Sequence, residues 1–309
     1  MRAGIALVVI TALFLWPGTA HSANVSHARG EPVTVVIVTT SAVEVFDRAV
    51  AGIERGLGPS AKVTVVDLAS HPRPAPIGNL KNVRLMIAVG NNALEHASEV
   101  GSAPILATML LRSDLAASGK RAAAGAVVLD LSLGEILAET ARLFPGKTRA
   151  AIIRNPTPNA LSPLALETEA KAAGMTLKVV DCLTPDRLLQ AFLSLRGQVD
   201  FVICPPDGKL FNSATVRPLI LASLEDRLPV IGFSEAFVRT GAVAGIYPDY
   251  GEVGFQTGEL ARKYLAGAPT GESEYPKKTN VAVNARVARL LGLRLSAWPG
   301  TNPGIVVVE

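Results

Sequence analysis

Short apolar runs that each end in polar or turn-forming residues recur between residues 200 and 268, and this pattern constrains the fold most strongly. The runs are Phe201–Cys204, Pro229–Gly232 and Ala242–Ile246. Helical segments separate them, so the chain alternates between strand, polar loop and helix. This alternation is typical of an α/β sheet, which binds ligands beyond the carboxyl ends of its parallel strands. The sequence therefore predicts an α/β protein with a ligand site at those strand ends.

The first half of the chain has the same strand–loop–helix organisation. Five apolar runs are predicted there as strands: Val33–Val38, Lys62–Asp67, Leu85–Val89, Ile105–Thr108 and Gly125–Leu129. A helix that stops at Pro145-Gly146 comes before the second series, which begins with the strand Ala150–Ile153. The 309 residues are enough for two ordinary domains. We expect two flavodoxin-like or Rossmann-like α/β lobes with parallel sheets.

The N-terminus has the three parts of a secretory signal peptide. Arg2 precedes the unbroken apolar run Ile5–Trp16, and Ala20-His21-Ser22 offers small residues for cleavage. The run is shorter than the roughly 20 residues that a membrane-spanning helix needs. The alternative is a buried N-terminal helix. We predict that residues 1–23 are a signal peptide and that the protein is periplasmic. Because no cysteine stands directly after the apolar run, we expect no lipid anchor.

Charge and cysteine usage exclude several other classes of protein. The formal net charge is +4, and the positive residues are scattered, with Lys277-Lys278 the longest run. A nucleic-acid surface would need a basic stripe with aromatic residues, so no nucleic-acid partner is expected. Cys182 and Cys204 are predicted at the ends of two strands that flank a third. That places them about 9.5 Å apart, beyond the reach of a disulfide, and we expect two buried free thiols.

Two motifs hint at enzyme chemistry, but each departs from its pattern. Gly232-Phe233-Ser234-Glu235-Ala236 nearly matches the nucleophile elbow of α/β-hydrolases, which needs a histidine after the serine. The four histidines all precede Ser234. Gly146-Lys147-Thr148 looks like the end of a P-loop, but it precedes a strand instead of following one. We expect no catalytic residue, no metal site and no cofactor.

Small polar side chains recur at the predicted strand ends in both halves and form the candidate ligand-binding set. With Phe233 as an apolar wall, the set comprises Thr40, Ser41, Asn91, Asn92, Thr108, Asn155, Thr157, Asn159, Asp207, Ser234 and Asp249. Each has a structural alternative. Ser41, Asn91 and Ser234 are also suited to helix N-caps, and Asp207 to the turn after Pro205-Pro206.

The motifs PPD, FNSATVRPLIL, LPVIGFS and GAVAGIYPDYGEVG occur in this order between residues 205 and 254. In them the chain resembles the ABC-transporter substrate-binding protein family related to tryptophan/tyrosine-binding receptors. The resemblance implies a periplasmic binding protein type I-like fold, whose two lobes are joined by a three-segment hinge. Carried over to this chain, the crossings fall near Asp130, near Tyr247–Asp249 and near Gly271.

The resemblance also implies domain bounds and a function. The first lobe would comprise residues 24–129 plus 248–270, and the second residues 130–247 plus 271–309. The protein would be a monomer that captures a small polar organic molecule between the lobes and presents it to an ABC permease in the membrane. The alternative is an exported ligand sensor or an accessory subunit for an outer-membrane receptor or signalling protein. The sequence departs from the family at Arg112-Ser113-Asp114, so an aromatic amino-acid ligand is not implied.

Overall fold

Two β-sheets flanked by helices make up the protein in a computed structural model. The model describes residues 33–40, 44–59, 61–70, 82–100, 103–119, 124–156, 161–271, 273–294 and 305–308. The predicted signal peptide lies outside these residues. Both sheets belong to one compact unit that begins at Val33.

The first sheet is parallel throughout, with strand order β2-β1-β3-β4-β5. Its strands are β1 Val33–Thr39, β2 Ala61–Asp67, β3 Val83–Val89, β4 Ile105–Thr108 and β5 Ala126–Val127. The helices between them are α1 Glu44–Leu57, α2 Asn91–Val100 and α3 Arg112–Ala117. Val35–Val38 are completely buried, as expected for a central parallel strand with both faces covered. The sequence patterns did not predict α3.

The second sheet has the strand order β12-β11-β10-β9-β8-β6-β7. Its strands are β6 Arg149–Arg154, β7 Thr176–Asp181, β8 Phe201–Ile203, β9 Val230–Gly232, β10 Ala244–Pro248, β11 Thr279–Asn284 and β12 Ile305–Val308. The remaining helices are α4 Leu133–Leu143, α5 Pro163–Ala172, α6 Leu188–Leu193, α7 Ser213–Glu225, α8 Glu235–Thr240, α9 Tyr250–Leu265 and α10 Ala285–Leu290.

The α/β fold class is confirmed, with one correction to the predicted parallel sheets. β10 and β11 pair antiparallel, whereas the other pairs of the second sheet are parallel. The antiparallel pair arises because the chain reaches β11 from α9 and the hinge, and so re-enters the sheet in the opposite direction. The prediction also missed β12, which pairs parallel with β11 inside a stretch rich in Pro, Gly and Asn.

Helix α9 follows a strand of the second sheet but packs against α1, which follows β1 of the first sheet. Glycines on both helices let the two backbones touch: Gly52 and Gly56 on α1, and Gly254 and Gly258 on α9. A Cβ atom added at Gly52 would lie 2.1 Å from the carbonyl oxygen of Gly251. This spacing of small residues lets α9 carry the chain back to the first sheet.

The chain changes sheets three times. Leu129 still bonds to Leu110 of the first lobe, whereas Leu133 belongs to the core of the second sheet, so the first crossing surrounds Asp130. The second lies between β10 and α9. The third runs from Glu274, which pairs with Val127, to the start of β11. The lobe boundaries predicted after residues 129, 247 and 270 remain a proposal; by sheet membership, the third change comes after Glu274.

The two cysteines sit where the sequence predicted them. Cys182 directly follows β7 and Cys204 directly follows β8, on either side of β6. Both are buried and unpaired. Burial raises the pKa of each thiol, so the thiolate is disfavoured at both positions.

Candidate ligand-binding site

A cavity of about 370 Å³ opens at the carboxyl ends of the central strands of the second sheet. That sheet and the loops that follow its strands supply most of the wall: Ile203, Cys204, Pro205, Pro206, Asp207, Gly208, Phe211, Gly232, Phe233, Ser234 and Ile246. The first lobe supplies Leu111 and Leu129, the crossings supply Leu131, Pro248 and Tyr250, and α4 of the second lobe supplies Ile136. The cavity therefore lies between the lobes, at the sheet edge that the strand pattern indicated.

Aromatic rings pack behind and along the second-lobe wall. The ring centroids of Phe211 and Phe233 are 6.2 Å apart, and that of Phe237 lies 5.2 Å from Phe233. Gly232 permits this packing, because a Cβ atom there would lie 2.7 Å from the Phe237 ring. The packing fixes the position of Phe233 on the wall, which is predominantly apolar rather than the largely polar surface that the candidate residues suggested.

Asp207 is held in the loop after β8 by hydrogen bonds from the backbone. Its Oδ1 accepts from the N–H groups of Lys209 and Leu210 at 2.8 and 3.0 Å. Asp207 therefore both stabilises this turn and lines the cavity wall. The next helix, α7, is capped by Asn212, whose side chain accepts from the backbone N–H of Ala214 and Thr215.

Ser234 has the N-cap role that was its structural alternative, and it also lines the cavity. Its Oγ accepts a hydrogen bond from the N–H of Phe237 at 3.1 Å, which satisfies one of the free donors at the start of α8. The hydroxyl hydrogen remains available for a ligand. His96 is the one histidine within the described ranges, and it lies on α2 rather than on the cavity wall.

Asp249 lies at the second crossing, between two lining residues, but is not itself part of the wall. Its Oδ1 accepts from Gly251 and Glu252 at 2.9 and 3.1 Å, which caps α9. Its Oδ2 accepts from Asn280 of β11 at 3.3 Å, and Arg48 of α1 lies 4.0 Å from Oδ1. Asp249 thus ties the crossing to an element of each lobe.

The hydroxyl of Tyr250 stays protonated near neutral pH. Burial raises its pKa, and the nearby carboxylate of Glu235 adds to the increase while Arg48 opposes it. Burial likewise raises the pKa of Tyr247 to about 12. A protonated phenol can both donate and accept a hydrogen bond.

The other candidate residues do not line this cavity. Thr108 is completely buried: its Oγ1 donates to the carbonyl of Val127 and accepts from Thr257 of α9 at 2.9 Å. Asn91 and Asn92 are exposed in the first turn of α2. Thr40 and Asn155 are half-buried outside the wall, whereas Ser41, Thr157 and Asn159 lie outside the described residues. Ligand contacts by these residues remain predictions.

The apolar residues of the first lobe, the first crossing and α4 are the part of the wall that sequence reasoning missed. Leu111, Leu129 and Leu131 come from loops after β4 and β5, and Ile136 from α4. The one sequence signal of the three leucines is that they follow predicted strands of the first lobe. In the part of the chain that the model describes, no three acidic, histidine or cysteine side chains form a group suited to a metal. None of the helices in those ranges could cross a membrane.

Comparisons with known proteins identify the family to which the chain belongs. The family model for ABC transporter substrate binding proteins matches residues 117–297. The chain is 29% identical over 117 residues to the tyrosine-binding protein of Clostridioides difficile (strain R20291). That alignment covers 37% of this chain and 33%, about a third, of the relative's length.

Solved structures share the fold at low sequence identity. A ligand-free, open substrate binding protein with adhesive properties from Clostridium difficile has a TM-score of 0.61 at 18% identity, over 89% of this chain and 99% of that one. An ABC domain in complex with L-Trp from Streptococcus pneumonia has a TM-score of 0.55 at 14% identity, with the same coverage. The fold is that of the periplasmic binding protein type I-like proteins. With a family match over more than half of its residues, the chain belongs to the ABC transporter substrate binding protein family.

Proposed function

We propose that this protein is an exported solute-binding protein that captures a small organic molecule between its lobes and presents it to an ABC permease. Members of the family are substrate-binding proteins rather than enzymes. One observation carries the proposal: a single cavity is lined by Leu111 and Leu129 of the first lobe together with Phe233 and Ser234 of the second.

A ligand in this cavity would favour the closed form. It would contact both lobes at once only when they approach each other, so its binding free energy is greater in that arrangement. The apolar walls would hold its body. Asp207, Ser234 and the hydroxyl of Tyr250 would hold its polar group, which accounts for the predicted preference for a polar molecule.

A thermal-shift screen of small amines, amino acids, organic acids, purines and sugars tests the proposal. A ligand at 100 times its dissociation constant should raise the free energy of unfolding by about 2.7 kcal/mol. Leu111→Trp should abolish the shift, because the larger side chain fills the cavity. Leu221→Trp is the matched control: Leu221 is 62% exposed on α7, away from the wall. A shift that survives in Leu111→Trp would place the ligand elsewhere.

Delivery to a permease needs its own test. A permease and an ATPase from the same organism, taken from genes beside this one where such genes occur, would be reconstituted in vesicles, and ATP hydrolysis measured with the binding protein added. We expect stimulation by the liganded protein and none by Leu111→Trp. Ligand binding without stimulation would instead support the sensor or accessory-subunit hypothesis.

A further inference from the structure

We infer that the cavity binds a cation, namely a primary ammonium group carried on an apolar body, in preference to a carboxylate or an amino-acid zwitterion. This inference rests on the proposed function and specifies its ligand. It follows from the charges on the wall, from the hydrogen-bond donors that the protein has already used, and from the apolar surface around them.

The charge of the wall is negative. Among the described lining residues, Asp207 is the one that carries a formal charge, and none is a lysine or an arginine. A carboxylate in such a site would meet a like charge without a basic partner, which disfavours its binding. An ammonium group would gain an opposite charge in a partly dry site, where the attraction is stronger than in water.

Several backbone donors that could otherwise bind a carboxylate are already satisfied. Asp207 accepts the N–H groups of Lys209 and Leu210, and Ser234 accepts that of Phe237. At the second crossing, Asp249 caps the first N–H groups of α9. Helix starts of this kind bind anions when their N–H groups are free, and here side chains of the protein occupy the N–H groups of Phe237, Gly251 and Glu252.

The carboxylate of Asp207, in contrast, can still accept a hydrogen bond from a ligand. Oδ1 of Asp207 receives both backbone hydrogen bonds, so Oδ2 is left for a ligand donor. Glu235 and Arg48 act on the pKa of Tyr250 with opposite signs. Each is paired with an opposite charge, Glu235 with Arg239 and Arg48 with Asp249 at 4.0 Å, so Asp207 remains the charge on the wall.

The apolar walls of the cavity indicate what the rest of the ligand is like. Most of the surface around Asp207 comes from leucine, isoleucine, proline and phenylalanine side chains. A sugar would bury hydroxyl groups against this surface without partners, at a cost for each unpaired group. An alkyl or aryl body that leaves one ammonium to be hydrogen-bonded fits both the apolar surface and the single carboxylate.

A series of compounds with the same apolar body tests the charge preference. Calorimetry would compare 2-phenylethylamine, L-phenylalanine and 3-phenylpropionate, and then 3-methylbutylamine, L-leucine and 4-methylpentanoate. We expect each amine to bind at least about tenfold more tightly than the amino acid and the acid that share its body. Tighter binding of the amino acids or acids would overturn the charge assignment and leave the proposed function standing.

Asp207→Asn tests the role of the carboxylate without disturbing its turn, because the asparagine Oδ1 can accept the same two backbone hydrogen bonds. We expect amine affinity to fall by about tenfold or more. Asp186→Asn is the control, since Asp186 is exposed near this loop and makes the same change in charge off the wall. Equal amine affinity in Asp207→Asn and the parent protein would refute the inference.

Failure of the ligand class and failure of the function give different results. If no amine binds at millimolar concentration while the broad screen returns another ligand that Leu111→Trp abolishes, the inferred class is wrong and the binding function stands. If neither the series nor the broad screen produces a shift, both the inferred class and the proposed function fail.

Discussion

The backbone of Gly254 lies directly against the carbonyl oxygen of Ala49, so that a Cβ atom at position 254 would stand 2.0 Å from that oxygen. Both groups are backbone atoms inside helices and cannot move aside cheaply. We expect Gly254→Ala to lower the free energy of unfolding by about 1–3 kcal/mol or more through overpacking. Urea unfolding would measure the change.

Gly134→Ala in α4 is the matched control, because a Cβ atom there meets nothing within 4 Å. It should leave the protein as stable or make it more stable, by up to about 1 kcal/mol, since alanine favours the helix more than glycine does. Equal stability of the two variants would contradict the close contact of α1 with α9.

Asp130 should lower the free energy of unfolding as the pH rises, whereas a carboxylate whose pKa is lowered on folding has the opposite effect. Burial raises the pKa of its carboxyl above the ordinary value of 3.8, although its Oδ2 accepts a hydrogen bond from the N–H of Arg112 at 2.7 Å. The folded state therefore keeps this proton at pH values where the unfolded chain has released it. The resulting stabilisation is fully present below pH 3.8 and is lost as the pH rises through the folded-state pKa.

Asp130→Asn removes this ionisation and keeps an acceptor for Arg112. The free energy of unfolding of the variant, relative to the parent, should increase as the pH rises above 3.8 and then become constant. Urea unfolding of both proteins across this pH range would show it. A relative stability that decreases with rising pH would mean that the pKa of Asp130 is lowered on folding.

The two thiols should be free yet unreactive in the folded protein. The Sγ of Cys182 donates to the carbonyl of Thr184, and Cys204 is about 1% exposed with a strongly raised pKa. We expect two thiols per chain under denaturing, non-reducing conditions. Without denaturant, modification should be slow, and slowest at Cys204. A chain with no free thiol and a mass lower by two hydrogens would contradict the strand order around β6.

Export can be tested by mass. The signal-peptide prediction requires that residues up to about Ser22 are absent from the periplasmic protein. Intact-mass spectrometry of periplasmic material should give a chain that begins near Ala23. A mass that includes Met1 would contradict the prediction.

Asp249→Ala should cost stability. It removes the acceptor for two N–H groups of α9 and the contact with Asn280, so we expect a loss of about 1 kcal/mol, the usual value for an N-cap. Asp249→Asn should recover most of it, because asparagine caps helices as well as aspartate does. Equal losses in both variants would show that the negative charge, rather than the cap, is what matters.

The sequence predicts the strands well, because buried parallel strands are continuous apolar runs that stand out against polar loops. Two short elements were missed: β12, because its Ile305–Val308 run is short and follows a series of turn residues, and α3, because six residues show too little periodicity.

The site is harder to predict for a physical reason. Polar residues at strand ends can stabilise the fold or contact a ligand, and the sequence does not separate these two roles. Ser234 caps a helix and also lines the cavity, whereas the Thr108 hydroxyl makes its hydrogen bonds inside the first lobe. The apolar wall brings Leu111, Leu131 and Ile136 together with Phe233 through the hinge, and no local pattern reports that proximity.

The second and third crossings leave the second sheet side by side as a two-stranded ribbon. Pro248 pairs with Thr279, and the N–H of Asp249 still donates to the carbonyl of Lys278 at 3.0 Å. Beyond them, the amide of Gln256 bonds to Tyr275. Such a ribbon resists sliding within its own plane, which would break these bonds, and bends readily out of that plane. Bending of the hinge at this ribbon would therefore occur mainly out of its plane, whereas sliding of the two crossings past each other would break their hydrogen bonds.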